Sequence, residues 1–330
     1  MNHISLFAGM GGFVLGMERA GIATMLCNDI EDACVKTLMT NWGEDRVDSR
    51  SIDDSTLWKR AGELGAVDVV SGGFPCQSFS IAGAKQGFDD LERGSKFFDM
   101  MSFVDSLVQP PKVLFLENVP NLKTHNGGQW LAEILTALKK RGFWISQKQC
   151  LLLNTQAVVG SAQSRERLFL IAYHQAYFKK NYFQLREPRD SVEREDLWSL
   201  LNTSKKEDDR LYLPPENKHY RMLETAMRKD GEDRLYQVRR GSVRANPRGV
   251  CPTLTANMGG GGHNVPFVKD EYGIRRLSVS ECLALQGFPS DYKWAEGLSD
   301  TAKLKMIGNS VNPKLIETIS EKIVEDLNVI

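Results

Sequence analysis

The chain has no net charge, because 42 lysines and arginines balance 42 aspartates and glutamates. No global field therefore draws it to a polyanion, and any such attraction must be local. Histidine is scarce, with 5 in 330 residues, and the 6 cysteines contain no CxxC pair. That spacing argues against a zinc site and a disulfide framework, and it suits a reducing cytoplasm. No apolar run approaches the roughly 20 residues of a membrane helix. Residues 1–5 (MNHIS) lack the basic and apolar regions of a signal peptide. Internal repeats and long low-complexity tracts are also missing. What remains is ordinary for a globular protein: 42% hydrophobic and 25% charged residues. The length suits one large domain with a smaller one.

Apolar runs and helical stretches alternate through the first half. Residues 3–7 read as a strand, 13–20 as a helix, 24–27 as a strand and 33–41 as a helix. Further strands fall at 68–71, 113–116, 147–153 and 168–173, with a helix at 130–141. This alternation predicts an α/β fold with a doubly wound, mostly parallel sheet. Near residue 175 the pattern breaks: charges thicken, Pro214 and Pro215 interrupt, and four glycines stand at 259–262. The expected division is a catalytic domain of residues 1–174 and 300–330, with a smaller irregular domain at 175–299. Pro313 suits a first helical position, and Leu315, Ile316, Ile319, Ile323, Val324 and Leu327 share one helical face.

The stretch LFAGMGGF (6–13) joins a strand to a helix. Glycines there let a ligand approach backbone N–H groups at a helix N-terminus. About twenty residues beyond Gly9, Asp29 ends the second strand, where a carboxylate accepts from ribose hydroxyls. Taken alone the loop is also compatible with a plain tight turn. Counted from Gly9, the sixth position is Val14 rather than glycine. That departure disfavours a dinucleotide and suits S-adenosylmethionine, which has no pyrophosphate.

Chemistry gathers where strands end or begin. Cys76 follows the strand 68–71 within GGFPCQSFS, Glu117 follows a strand within LENV, and Arg165 and Arg167 precede one within QSRERLFLI. Each alone is as compatible with a structural cysteine, a turn or a salt-bridged face. Together a thiol, a carboxyl and a guanidinium suit attack on an electron-poor ring. None of the histidines stands in a hydrolase signature. Between 234 and 248 lie Arg234, Arg239, Arg240, Arg244 and Arg248 with no acid, a run equally compatible with a solvated face.

Six motifs occur in one order: LFAGMGGF at 6, GGFPCQSFS at 72, LENV at 116, QSRERLFLI at 163, RRLSVSECLALQGFP at 275 and IGNSVNP at 307. In these the chain resembles the C5-cytosine DNA methyltransferases of bacterial restriction-modification systems. The resemblance spans nearly the whole chain, except about 174–272, where that family keeps its variable target-recognition region. It implies a Rossmann-like methyltransferase domain and S-adenosylmethionine as cofactor. Phe7, Gly9, Gly11 and Gly12 would line the cofactor pocket, Asp29 would hold the ribose, and Ile30 would face the adenine. Asp48 would take the adenine amine, although Ser49 stands where the family has isoleucine. Pro75 would lie beside the thiol and cofactor, and Asn309 and Ser310 would return the C-terminal segment to the cofactor.

The implied mechanism makes Cys76 a thiolate that adds to carbon 6 of a flipped-out cytosine. Glu117 would hold ring N3 and the amino group, Arg167 the O2 carbonyl, and Arg165 the loop or a phosphate. No metal is needed. Residues 80–99 resemble the loop that closes over DNA, with Lys85, Arg93 and Lys96 toward phosphates. At least one of Arg239, Arg240 and Arg244 is expected to read a base, with Thr253 at a junction beside the backbone. The expected partner is double-stranded DNA, with no membrane, a monomeric state and a link to a cognate endonuclease. One rival is the family's tRNA-methylating branch, although Cys251-Pro252-Thr253 replaces its Cys-Phe-Thr string. A nicotinamide-dependent oxidoreductase and a catalytically dead DNA-binding relative are the others.

Overall fold

Short β-branched runs separated by amphipathic helices can bury both sheet faces only by interleaving. The computed structural model shows this arrangement, and it describes residues 1–75, 96–185, 192–239, 241–260 and 265–330. By contact the chain forms two compact units. One comprises residues 1–153, 166–187 and 314–330, and the other residues 154–165 and 188–313. Residues 154–165 and 300–313 thus pack with the second unit, although they lie within sequence ranges expected to be catalytic. The reason lies in hydrogen bonds made far along the chain. Gln163 Nε2 reaches the Leu285 carbonyl and the Gln286 side chain, and Gln286 Nε2 reaches the Ser310 carbonyl.

The first unit is built on strands β1 (Asn2–Leu6), β2 (Ala23–Asn28), β3 (Val47–Asp48), β4 (Val69–Gly72), β5 (Val113–Asn118), β6 (Phe143–Trp144), β7 (Cys150–Asn154) and β8 (Glu166–His174). Seven run in the order β3-β2-β1-β4-β5-β8-β6, and β7 pairs with β8. The pairs from β3 to β5 are parallel, whereas β8 is antiparallel to both β5 and β6. The order reverses direction beside β1, the place where open α/β sheets bind ligands beyond their strand ends.

His3 in β1 pins the sheet's centre. Its Nδ1 lies 2.8 Å from Thr24 Oγ1 on β2, and its Nε2 lies 2.7 Å from Ser71 Oγ on β4. Burial depresses its pKa to about 3, so the ring is neutral at physiological pH. The last helix, Pro313–Leu327, buries Leu315, Ile316, Ile319 and Ile323. Its Ser320 hydroxyl donates to Met17 Sδ, and its Asp326 accepts from Tyr173 Oη at 2.6 Å.

The second unit holds an antiparallel sheet in the order β10-β9-β11-β12, made of β9 (Tyr236–Arg239), β10 (Ser242–Ala245), β11 (Phe267–Asp270) and β12 (Gly273–Arg276). The helix Lys218–Asp230 supplies Leu223 and Met227 to a core with Tyr236, Val238, Phe267 and Ile274. Arg275 is fully buried. It bonds Asp270 at 2.6 Å through Nε and both Glu281 oxygens at 2.8 Å through its two terminal nitrogens. A buried guanidinium is tolerated when its donors are met in this way.

Candidate active site

The glycine loop leaves β1 through Phe7, which has a positive φ of 51°, and turns at Gly9 with φ 58°. Gly11 has φ 87°, and a Cβ there would come within 2.3 Å of the Trp42 indole, so only glycine lets the loop lie against it. Gly12 opens the helix Gly12–Arg19. Asp29, just past β2, receives the Gly9 N–H at 2.8 Å and the Glu31 N–H at 2.9 Å. Burial raises its pKa, against the pull of these backbone donors. Ile30 is 62% exposed although it is aliphatic. A bent glycine loop, a carboxylate tied to it and an apolar side chain facing outward fit a nucleoside cofactor.

Asp48 is held by two arginines. Its carboxylate accepts from Arg50 Nε at 2.9 Å, from a terminal nitrogen of Arg50 and from Arg60 at 2.8 Å. Burial works to raise its pKa, but these bonds outweigh burial and hold it at about 2. The expected contact with an adenine amine would share this carboxylate with the two arginines. The Asp48 main chain also steadies the loop, since its carbonyl accepts from Asp29 N–H and Asn28 Nδ2.

Beyond β4 the chain runs through Gly73, Phe74 and the exposed Pro75. Asn118 Nδ2, at the end of β5, donates to the Phe74 carbonyl at 2.9 Å. A Cβ on Gly73 would sit 3.0 Å from Glu117 Oε2. The loop that leads toward Cys76 therefore lies against Glu117. Cys76, Lys85, Arg93 and Arg240 lie outside the described residues.

Glu117 meets Arg167 at 3.1 Å, Oε1 to Nε, and both side chains are about one-seventh exposed, at 14% and 15%. Burial lowers the pKa of Arg167, and Glu117 opposes that shift. One terminal nitrogen of Arg167 donates to the Glu166 carbonyl. The other has no partner among the described residues.

Arg165, two residues earlier, occupies another environment. It is 1% exposed and donates to the carbonyls of Leu254 at 2.7 Å, Gly308 at 2.9 Å and Ser310 at 2.7 Å. A Cβ on Gly308 would lie 2.1 Å from the Thr255 carbonyl carbon, so this clamp holds backbone against backbone. Asn309 is exposed, and Ser310 is buried with its hydroxyl on the Val311 carbonyl. Thr253 Oγ1 donates to the Ser164 carbonyl at 2.8 Å. Lys96, at the start of the helix Lys96–Asp105, bonds Asp99 at 2.9 Å, and Asp53 lies 3.9 Å away. Arg239 and Arg244 are exposed on β9 and β10. The sequence reading missed the roles of Arg50 and Arg60 at Asp48, and Asp48-x-Arg50 spacing was the available signal.

Fold and site together define a Rossmann-like, nucleoside-cofactor-dependent transferase with a carboxyl–guanidinium pair at its sheet edge. The profile of the C-5 cytosine-specific DNA methylases matches residues 1–325, and the chain belongs to that family. It is 37% identical over 326 residues to the type II methyltransferase M.Bsp6I of Bacillus sp. (strain RFL6), covering 98% of both chains. It is 29% identical over 345 residues to the type II methyltransferase M.HpaII of Haemophilus parainfluenzae, covering 98% of this chain and 89% of that one. The fold is similar to that of a mutant Spodoptera frugiperda DNMT2, with TM-score 0.72 and 19% identity over 98% and 99% of the two chains. It is also similar to S. pombe Dnmt2, with TM-score 0.69 and 16% identity over 99% of each.

The protein is a DNA (cytosine-5-)-methyltransferase of the type II restriction-modification kind, and its family uses S-adenosylmethionine as methyl donor. That assignment removes the oxidoreductase reading. Among the described residues no helix is long and apolar enough to cross a membrane.

Proposed function

We propose that the enzyme methylates a cytosine flipped out of a short specific duplex site, through a covalent bond between Cys76 Sγ and ring carbon 6. The observation that carries this reading is the Glu117–Arg167 pair at 3.1 Å, set against the glycine turn that precedes Cys76. Carbon 5 of cytosine is a weak nucleophile. Addition of the Cys76 thiolate to carbon 6 places electron density on carbon 5. Glu117 bonds ring N3 and the exocyclic amine and steadies charge as it develops. Arg167 holds Glu117 through Nε and offers its remaining terminal nitrogen to the O2 carbonyl. S-adenosylmethionine, when bound, supplies an electrophilic methyl group to carbon 5. A base then takes the carbon 5 proton, and the Cys76–carbon 6 bond breaks with return of its electrons to sulfur.

Phe7, the Gly9–Gly12 loop, Asp29, Ile30 and Pro75 form the cofactor side in this reading. Arg165 positions the Leu254 and Gly308–Ser310 backbone rather than touching the base. The first unit carries the chemistry and the second recognises the target. Lys85, Arg93 and Lys96 meet phosphates when the loop closes, with Lys96 giving up its intramolecular pairing. The enzyme acts in the cytoplasm as a monomer and protects DNA from a cognate endonuclease.

Bisulfite sequencing of mixed-sequence duplex DNA, after incubation with enzyme and S-adenosylmethionine, tests the reading. Protection of cytosines in one short shared context is expected. Cys76→Ala should bind cofactor yet transfer no methyl group, and retained turnover would remove Cys76 as the nucleophile.

A further inference from the structure

The segments on the cofactor side share one small core, separate from the large core of the first unit. Ala8 of the glycine loop, Val14 of the helix Gly12–Arg19, Cys27 of β2, Leu38 of the helix Asp32–Trp42 and Val47 of β3 pack together there. Trp42, half-buried, closes this core at the last position of its helix, where Gly43 with φ 87° stops the helical run.

Trp42 also meets the loop backbone. Two carbons at the far edge of its six-membered ring, Cη2 and Cζ3, would stand 2.4 Å or less from a Cβ on Gly11. The loop therefore rests on the ring edge with no room between them. The other end of the indole is tied down. Its Nε1 donates to Glu18 Oε2 at 3.1 Å, and the second Glu18 oxygen accepts from Arg46 at 3.3 Å. Packing alone would call for any large apolar side chain, but not for a ring N–H held by a carboxylate. Glu18 lies on the helix that Gly12 opens, so the ring is fixed to the same piece of chain that it supports. Gly11 stands between Gly12 and Gly9, whose N–H donates to Asp29 at 2.8 Å. A shift of the ring edge would displace both neighbours.

We propose that Trp42 is a positioning residue for S-adenosylmethionine. Its ring edge sets the height of the glycine loop, and Glu18 locks the ring in that setting. Both act through the loop backbone rather than on the reacting atoms. A loop held in its binding geometry spares the ligand the cost of ordering it. Cofactor affinity therefore depends on this support, whereas the rate with cofactor bound does not. The inference rests on the reading of the glycine loop as the seat of the cofactor.

The test measures S-adenosylmethionine affinity by calorimetry, KM and kcat by methyl transfer to duplex DNA, and stability by urea unfolding, all on the full chain. Trp42→Phe has a shorter ring and no N–H. It should raise Kd and KM for the cofactor about tenfold, with kcat at saturating cofactor within about twofold of wild type. Glu18→Leu removes the acceptor and should weaken binding about fivefold, whereas Glu18→Gln keeps an acceptor oxygen and should stay within about twofold. Trp42→Phe combined with Glu18→Leu should bind no more weakly than Trp42→Phe alone, because the bond is already gone. Lower stability with unchanged Kd in Trp42→Phe would overturn the proposal and leave Trp42 a packing residue. A kcat that falls in step with affinity would also overturn it. Equal losses in Glu18→Leu and Glu18→Gln would sink the part given to Glu18. Asp29→Ala serves as the reference: unchanged affinity there would instead strike the reading of the cofactor's seat.

Discussion

Arg165 and Arg167 stand two residues apart, and the spacing alone makes them look like a pair. Their surroundings separate them. Arg165 is 1% exposed and spends its terminal nitrogens on three backbone carbonyls. Arg167 keeps one-seventh of its side chain exposed, meets a carboxylate and retains an available donor. A guanidinium whose terminal nitrogens end on three backbone carbonyls is a fastening. One that meets a single carboxylate and keeps part of its side chain exposed is, in the proposed function, the group offered to the base.

The comparison is sharpest when each arginine is removed. Arg165→Lys keeps the charge but cannot serve three carbonyls at once. It should cost about 3 kcal/mol of stability by urea unfolding, with kcat of the folded fraction changed less than about tenfold. Arg167→Ala should do the reverse. Removing a donor aimed at developing charge should lower kcat about 100-fold or more, with little change in the unfolding midpoint. If both variants lose activity and stability together, the distinction fails.

Gly73→Ala probes the same edge more gently. Its added Cβ would lie 3.0 Å from Glu117 Oε2, so the carboxylate must shift by a few tenths of an ångström. A loss of about tenfold in kcat is expected, because misplacement of this kind weakens transition-state contacts. Cofactor affinity, read by calorimetry, should not change.

What the sequence made legible follows from range. The glycine loop, Asp29, the strand-end placement of Glu117 and the apolar stripe of the last helix all depend on neighbours a few residues away. The clamp of Arg165 does not, since its acceptors lie 89, 143 and 145 residues along the chain. Residues 175–299 read as irregular, yet they contain the helices Lys218–Asp230 and Val279–Leu285 and a four-stranded sheet. Charge hid the helix Lys218–Asp230, which buries only Leu223 and Met227. Strands of four residues gave too few alternations to register as a pattern. The arginines at Asp48 were not legible, because a carboxylate in a loop reads the same whether or not two arginines meet it.

His3 extends the comparison to a group that titrates. Like Arg165 it is buried and joins separate segments, here β2, β1 and β4. Its folded pKa, about 3, lies below the ordinary value of 6.5. Between those values the unfolded chain binds the extra proton, so stability falls as pH drops below about 6.5. The loss from this one residue should be about 1 kcal/mol at pH 6.0. Urea unfolding between pH 8 and 6 measures it, with His3→Gln as reference. That variant should start less stable, for want of the imidazole between Thr24 and Ser71, but should lose less stability on acidification. Equal slopes in the two proteins would mean that His3 accepts its proton within the folded sheet. Its place would then be nearer to that of Arg167 than to the fastening of Arg165.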